Sequence, residues 1–127
     1  MLPSIYVINV NSLAKPHALE QLTADLLAYK VGIAIITETK LKSKHKSEVF
    51  GINGYQFFRK DRHGRGGGGV AIYVANGLRA SPCPDITPND EMELMWIKVN
   101  STSQSSIVGA LYNPQHTVTR TLSCSTI

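Results

Sequence analysis

The sequence predicts an α/β fold, and three stretches carry that reading. Ile33-Ala34-Ile35-Ile36 is an unbroken apolar run that changes abruptly into Thr37-Glu38-Thr39-Lys40. It is too short to span a membrane and too β-branched for a comfortable helix, so it reads as a buried strand. Leucines at helical spacing precede it. Before them comes a β-branched and aromatic segment, Ser4-Ile5-Tyr6-Val7-Ile8-Asn9-Val10-Asn11. Strand, helix and strand in this order form a right-handed crossover unit with both strands in one sheet. Such units carry their sites at the carboxyl ends of their strands. Here those ends are Asn9 and Glu38.

The 127 residues make one domain or part of one, and 43% hydrophobic content supports a packed core. The net charge of +4 is unevenly spread: Lys40 to Arg65 holds eight basic side chains against Glu48 and Asp61, a local balance of +6. A basic face of this kind suits an anionic partner, nucleic acid above all, although a solvated lysine-rich loop has the same composition. Cys83 and Cys124 form neither a disulfide framework nor a zinc pattern, which points to a reducing compartment, nuclear or cytoplasmic. The N-terminus lacks a basic leader, and Asn9 and Asn11 interrupt its apolar run. No secretion signal, membrane span or membrane partner is therefore expected.

Taken in order, the first strand ends in two asparagines separated by one residue. If it runs through Asn11, both amides share a face. Pro16 suits a helix's first turn, and Leu19, Leu22, Leu26 and Tyr29 follow on one stripe, with Gly32 past the end. The spacing predicts an amphipathic helix of about four turns packed on a sheet. Leu41 to Gly51 is polar and lysine-rich, a loop with at most one helical turn. Gly54 to Lys60 and Val70 to Val74 read as two strands of a hairpin whose tip, Asp61 to Gly69, has no apolar residue. Asn76-Gly77 is a turn, and Ser81 to Pro88, with three prolines, is a loop. Leu94 to Val99 and Ile107 to Tyr112 are strands, the latter ended by Asn113-Pro114. Thr117 to Ile127, mostly Ser and Thr, has no periodicity that assigns it.

The run Gly64-Arg65-Gly66-Gly67-Gly68-Gly69 invites a phosphate-loop reading. It lacks the Gly-Lys-Ser/Thr ending and is followed by a strand where a helix is needed, so no nucleotide or other small-molecule cofactor is expected. His17, His45, His63 and His116 are scattered and read as surface residues. Glu38 at a strand end, with Asn9 at the matching end, offers hard oxygen ligands suited to Mg2+ or Mn2+.

These segments resemble the N-terminal half of the endonuclease/exonuclease/phosphatase superfamily, and within it the apurinic-like endonuclease domain of non-LTR (LINE-type) retrotransposon polyproteins. The segments that carry the resemblance are Ile8 to Leu13; Ile35 to Leu41; Gly54-Tyr55 with Arg59-Lys60-Asp61-Arg62; Gly66 to Val74; Glu93 to Ile97; and Val108 to Pro114. The resemblance covers residues 1–114 and leaves 115–127 as a Ser/Thr-rich tail outside it. It implies an incomplete four-layer αββα sandwich of deoxyribonuclease-I type, and divalent-metal-dependent cleavage of a DNA phosphodiester. Glu38 matches the metal-binding glutamate, Asn9 the asparagine beside it, and Tyr112 the tyrosine near the scissile phosphate. Lys40, Arg59, Arg62 and Arg65 are the expected DNA contacts. Asn11 and Gln115 stand where relatives carry aspartate and asparagine.

The family's second half supplies an Asp-x-Asn motif and a Ser-Asp-His. Here no Asp-x-Asn occurs, no aspartate follows Asp90, and His116 comes too early. A truncated, inactive domain is expected, or a relic that binds nucleic acid weakly through residues 40–65. A chain supplying mostly one sheet would also leave an apolar face uncovered, open to self-association.

Overall fold

The computed structural model describes residues 4–62, 67–83, 93–101, 105–113 and 116–124. The apolar run forms β2, Ile33–Thr37, and all five of its residues are buried. A strand buried throughout needs cover on both faces, since its side chains alternate. Ala34 and Ile36 join one core with Leu22, Leu26, Ala71 and Tyr73. Ile33 and Ile35 join a second core with Val70, Ile72, Ile97 and Val108.

Two four-stranded sheets produce these cores. The first contains β1 (Ile5–Asn9), β2, β3 (Tyr55–Lys60) and β4 (Val70–Ala75) in the order β1-β2-β4-β3. β1 runs parallel to β2, and β4 is antiparallel to both its neighbours. The second contains β5 (Arg79–Pro82), β6 (Glu93–Asn100), β7 (Ser105–Asn113) and β8 (His116–Cys124), antiparallel and in sequence order. Each sheet comes from one uninterrupted stretch of chain. The second sheet packs face to face on the first, and helix α1, Ala18–Ala28, covers the first sheet's other face. Among the described residues no helix is long and apolar enough to cross a membrane.

Four expectations need correction. The helix has 11 residues and stops before Tyr29, which is 70% exposed. Its end is a Schellman turn: Lys30 takes the left-handed φ of 50°, Val31 N–H reaches Leu26 O at 3.0 Å, and Lys30 N–H reaches Leu27 O at 3.4 Å. The helix is thus closed two residues before Gly32. Ser81 and Pro82 end edge strand β5, a position that tolerates proline. The segment without periodicity contains β8, whose Thr117, Val118, Thr119 and Thr121 are β-branched and suit a strand paired with β7. The chain also supplies two sheets, so the apolar faces of β2 and β4 are covered. What stays open is the edge strand β1, with Ile5 41% and Val7 47% exposed.

Trp96 and Gly109 are register partners on β6 and β7. A Cβ added at Gly109 would stand 2.5 Å from the indole. Gly109→Ala is expected to displace the ring and to lower stability by about 1–3 kcal/mol, as overpacking does. Urea unfolding followed by the emission of the single tryptophan reports both effects.

Candidate metal and nucleic-acid site

Parallel pairing of β1 with β2 sets Asn9 opposite Thr37, so the two carboxyl ends lie side by side. The backbone then continues the ladder beyond the strands. Val10 N–H bonds Thr37 O at 3.1 Å, Ser12 N–H bonds Glu38 O at 2.8 Å, and Leu13 N–H bonds Thr39 O at 2.8 Å. On the other side Thr39 N–H bonds Gly69 O at 3.2 Å and Lys40 N–H bonds Gly68 O at 2.7 Å. Glu38 is thereby held between two loops rather than at the tip of one.

The path has an unusual conformation. Asn11, Ser12, Glu38 and Lys40 have φ of 46°, 85°, 53° and 54°, in the left-handed region that residues with a Cβ seldom adopt. Such residues persist where the surroundings over-determine them, and they gather at functional sites. The left-handed residues alternate with buried ones. Thr37, Thr39 and Leu41 are at most 1% exposed, while Glu38 and Lys40 are half-buried.

The strand does not run through Asn11, which corrects the expectation of two amides on one face. Asn9 is the last strand residue, and its exposed side-chain Oδ1 accepts the Asn11 N–H at 3.1 Å, an Asx turn. Asn11 Oδ1 in turn accepts Lys40 Nζ at 2.5 Å. Lys40 therefore ties the β1 exit to the β2 exit. Below them Thr37 Oγ1 is buried without a hydrogen-bond partner among the described residues. A buried hydroxyl left so costs about 1–3 kcal/mol.

Glu38 contributes a carboxylate at the β2 exit, and the β1 exit beside it carries the amide oxygens of Asn9 and Asn11, the first taken by the Asn11 N–H and the second by Lys40. A single carboxylate among neutral oxygens is the donor chemistry that a hydrated Mg2+ or Mn2+ uses, since such an ion takes one or two carboxylates and keeps several waters. It does not fit a tightly caged ion. Among the described residues no three His, Cys, Asp or Glu gather.

The last residue of the glycine run, Gly69, acts here as packing. At Gly69, φ is 91°, and an added Cβ would collide with Thr39 Oγ1. Position 69 is glycine because Thr39, the residue after Glu38, packs on it. Arg62 lies over the same loop, with Nη1 3.7 Å from where a Cβ on Gly67 would sit. Arg65 lies outside the described residues. Arg59 is on β3, turned away from the Glu38 exit toward the lysine loop. His45 is not a free surface residue: its Nδ1 accepts the Lys42 N–H at 2.9 Å, and its ring meets Phe50 edge-on. Tyr112 is in the second sheet, at the register position between Glu93 on β6 and Thr117 on β7's other neighbour, β8. The structure therefore sets Asn9, Glu38 and Lys40 at adjoining strand exits and puts Tyr112 on the second sheet.

Sequence reasoning missed Asn11 as the bridge to Lys40, Thr37 as a buried polar group and Gly69 as the seat of Thr39. The one sequence signal for them was the Asn-x-Asn and Thr-x-Thr spacing at the two strand exits. Gly69→Ala is expected to destabilise the chain by about 2–4 kcal/mol, combining the φ penalty with the collision. Adding Thr39→Ala removes the collision and leaves about 1 kcal/mol of φ penalty, so a double-mutant cycle in urea should show strong coupling.

No protein-family model matches the chain, and no curated protein sequence matches it. Solved structures do. An AP endonuclease from Leishmania major superposes with a TM-score of 0.53 at 20% identity, covering 82% of this chain and 34% of that one. An AP endonuclease from Archaeoglobus fulgidus superposes with a TM-score of 0.50 at 21% identity, covering 80% of this chain and 38% of that one. The chain thus has the deoxyribonuclease-I-like fold and spans little more than a third of the length of the AP endonucleases it matches.

Proposed function

We propose that this chain is the N-terminal part of a divalent-metal-dependent DNA endonuclease domain, of the kind carried by LINE-type retrotransposon polyproteins, acting in the nucleus or cytoplasm. The observation that carries this reading is the junction of Asn9 and Glu38, clasped at adjacent strand ends in a fold shared with AP endonucleases. Glu38 would hold Mg2+ or Mn2+ with help from neutral oxygens. Such an ion polarises a phosphoryl oxygen and offsets developing charge. The Asn9 amide is the hydrogen-bond donor for a phosphate oxygen, and Lys40 fixes the geometry by holding Asn11. Tyr112 on the facing sheet is the second donor. Lys40, Arg62 and Arg65 supply positive charge to a DNA backbone.

In this reading Glu38 is engaged as the metal ligand and the 127 residues contain neither Asp-x-Asn nor Ser-Asp-His to activate water, so the chain by itself would bind DNA and metal with little or no turnover. This is the truncated reading, and a relic that only binds nucleic acid is its limiting case. The open edge of β1, with Ile5 and Val7, is the surface through which copies would associate. Sedimentation of Val7→Lys against the unchanged chain tests that point, the expected result being loss of any dimer.

Titrating Mn2+ into the chain and following its paramagnetic resonance signal tests the metal site. Weak binding at one site is expected, abolished by Glu38→Gln and unaffected by Lys98→Gln. A plasmid-nicking assay with and without EDTA tests catalysis. Nicking that survives EDTA or Glu38→Gln would refute a metal-dependent role for this glutamate.

A further inference from the structure

Arg59 sits among the cations expected to touch DNA, yet its guanidinium is turned inward. Nε and Nη2 donate to the Asp61 carboxylate at 3.1 and 2.5 Å. Nη1 donates to His45 O at 2.6 Å and to Ser47 Oγ at 3.4 Å, and Nη2 donates to Lys42 O at 2.9 Å. The side chains of the ion pair are only 14% and 13% exposed. A lysine could not reproduce this planar fork.

The segment it holds is a closed ring. Lys42 N–H bonds His45 Nδ1, and His45 N–H returns to Lys42 O at 2.8 Å. The His45 ring rests edge-on against buried Phe50. With these carbonyls and the imidazole turned in, Lys42, Lys44 and Lys46 are left on the exposed side. Between Lys40 and Lys60 the only carboxylate is Glu48. Polar surface loops are ordinarily mobile, and burying a charge pair is expensive unless it is well bonded. A loop of this kind, fixed by a largely buried arginine, holds in place the backbone from which its lysines project. Lys40 stands two residues before Lys42, separated from it by buried Leu41, so the ridge leads directly out of the Glu38 clasp.

We propose that Lys42, Lys44 and Lys46 form a preformed ridge that contacts the phosphates of duplex DNA, and that Arg59 is a positioning residue that holds the ridge and does not touch DNA. The choice of DNA rests on the function proposed above. The ridge itself rests on the hydrogen bonds of Arg59.

Fluorescence anisotropy of the full 127-residue chain with a labelled blunt duplex, over a range of salt, tests it. Replacing the three lysines by glutamine is expected to lower the slope of log affinity against log salt by about 0.9 for each phosphate no longer neutralised. Arg59→Lys keeps the charge, yet it is expected to bind about tenfold more weakly, because one or two lysines of a loosened ridge no longer reach their phosphates. It should also be cut faster by trypsin after Lys44 and Lys46. Asp61→Asn raises the net charge by one but should weaken binding and open the loop in the same way, and it serves if Arg59→Lys fails to fold. An unchanged slope in the triple variant would overturn the ridge. Arg59→Lys and Asp61→Asn binding as well as the parent, with an unchanged trypsin pattern, would overturn the positioning role. Tighter binding to anionic phosphatidylserine vesicles than to duplex would reassign the surface to a membrane and overturn the DNA proposal. Loss of the Mn2+ site with the ridge intact would instead count against the metal reading alone.

Discussion

β2 has water on neither face, and its backbone finds its partners in β1 and β4. That double burial organises the chain. It requires a helix on one side and a second sheet on the other, which accounts for the two separate cores. It also fixes the register of β1. Tyr6 and Ile8 pack toward the helix core, so Ile5, Val7 and Asn9 must take the other face. Asn9 then falls opposite Thr37 because the parallel register admits no other partner for it.

The same burial explains why the polar end of β2 is strained. Thr37, Thr39 and Leu41 are all drawn inward, and the chain achieves this by turning Glu38 and Lys40 into the left-handed region. Packing of this strength offsets the conformational cost because both flanks are hydrogen-bonded, one to Val10, Ser12 and Leu13 and the other to Gly68 and Gly69. The backbone of Glu38 is thus fixed on both flanks, while its half-buried side chain keeps its own rotamers.

Much of this was legible in the sequence, and what was hidden shares a physical cause. β2 and β4 announce themselves because an apolar β-branched run has few other ways to be buried. The adjacency of Asn9 and Glu38 follows from crossover topology alone. Asn11 could not be placed, because its direction depends on a lysine 29 residues away. Arg59 read as a free cation, because nothing local reveals that three distant loop groups need its fork. β8 had no apolar alternation of its own and becomes a strand by pairing with β7. Gly69 sat within a run that looked uniform, and only the packing of Thr39 distinguishes it from its neighbours. Local pattern determined elements whose burial is intrinsic. Interactions made across the chain determined the rest.

The division of the two sheets into consecutive stretches has a consequence for how the protein is made. Residues 5–75 complete the first sheet, and the second begins only after a short turn at Asn76-Gly77. At ribosomal rates of about 5–20 residues per second, residues 79–124 take a few seconds to be made after residue 75. Until β6 and β7 are in place, Ile33, Ile35, Val70 and Ile72 lack the cover those strands give them. The interval in which the chain is most exposed to aggregation is therefore set by translation speed across residues 79–124, and synonymous codon choice there would bear on its yield.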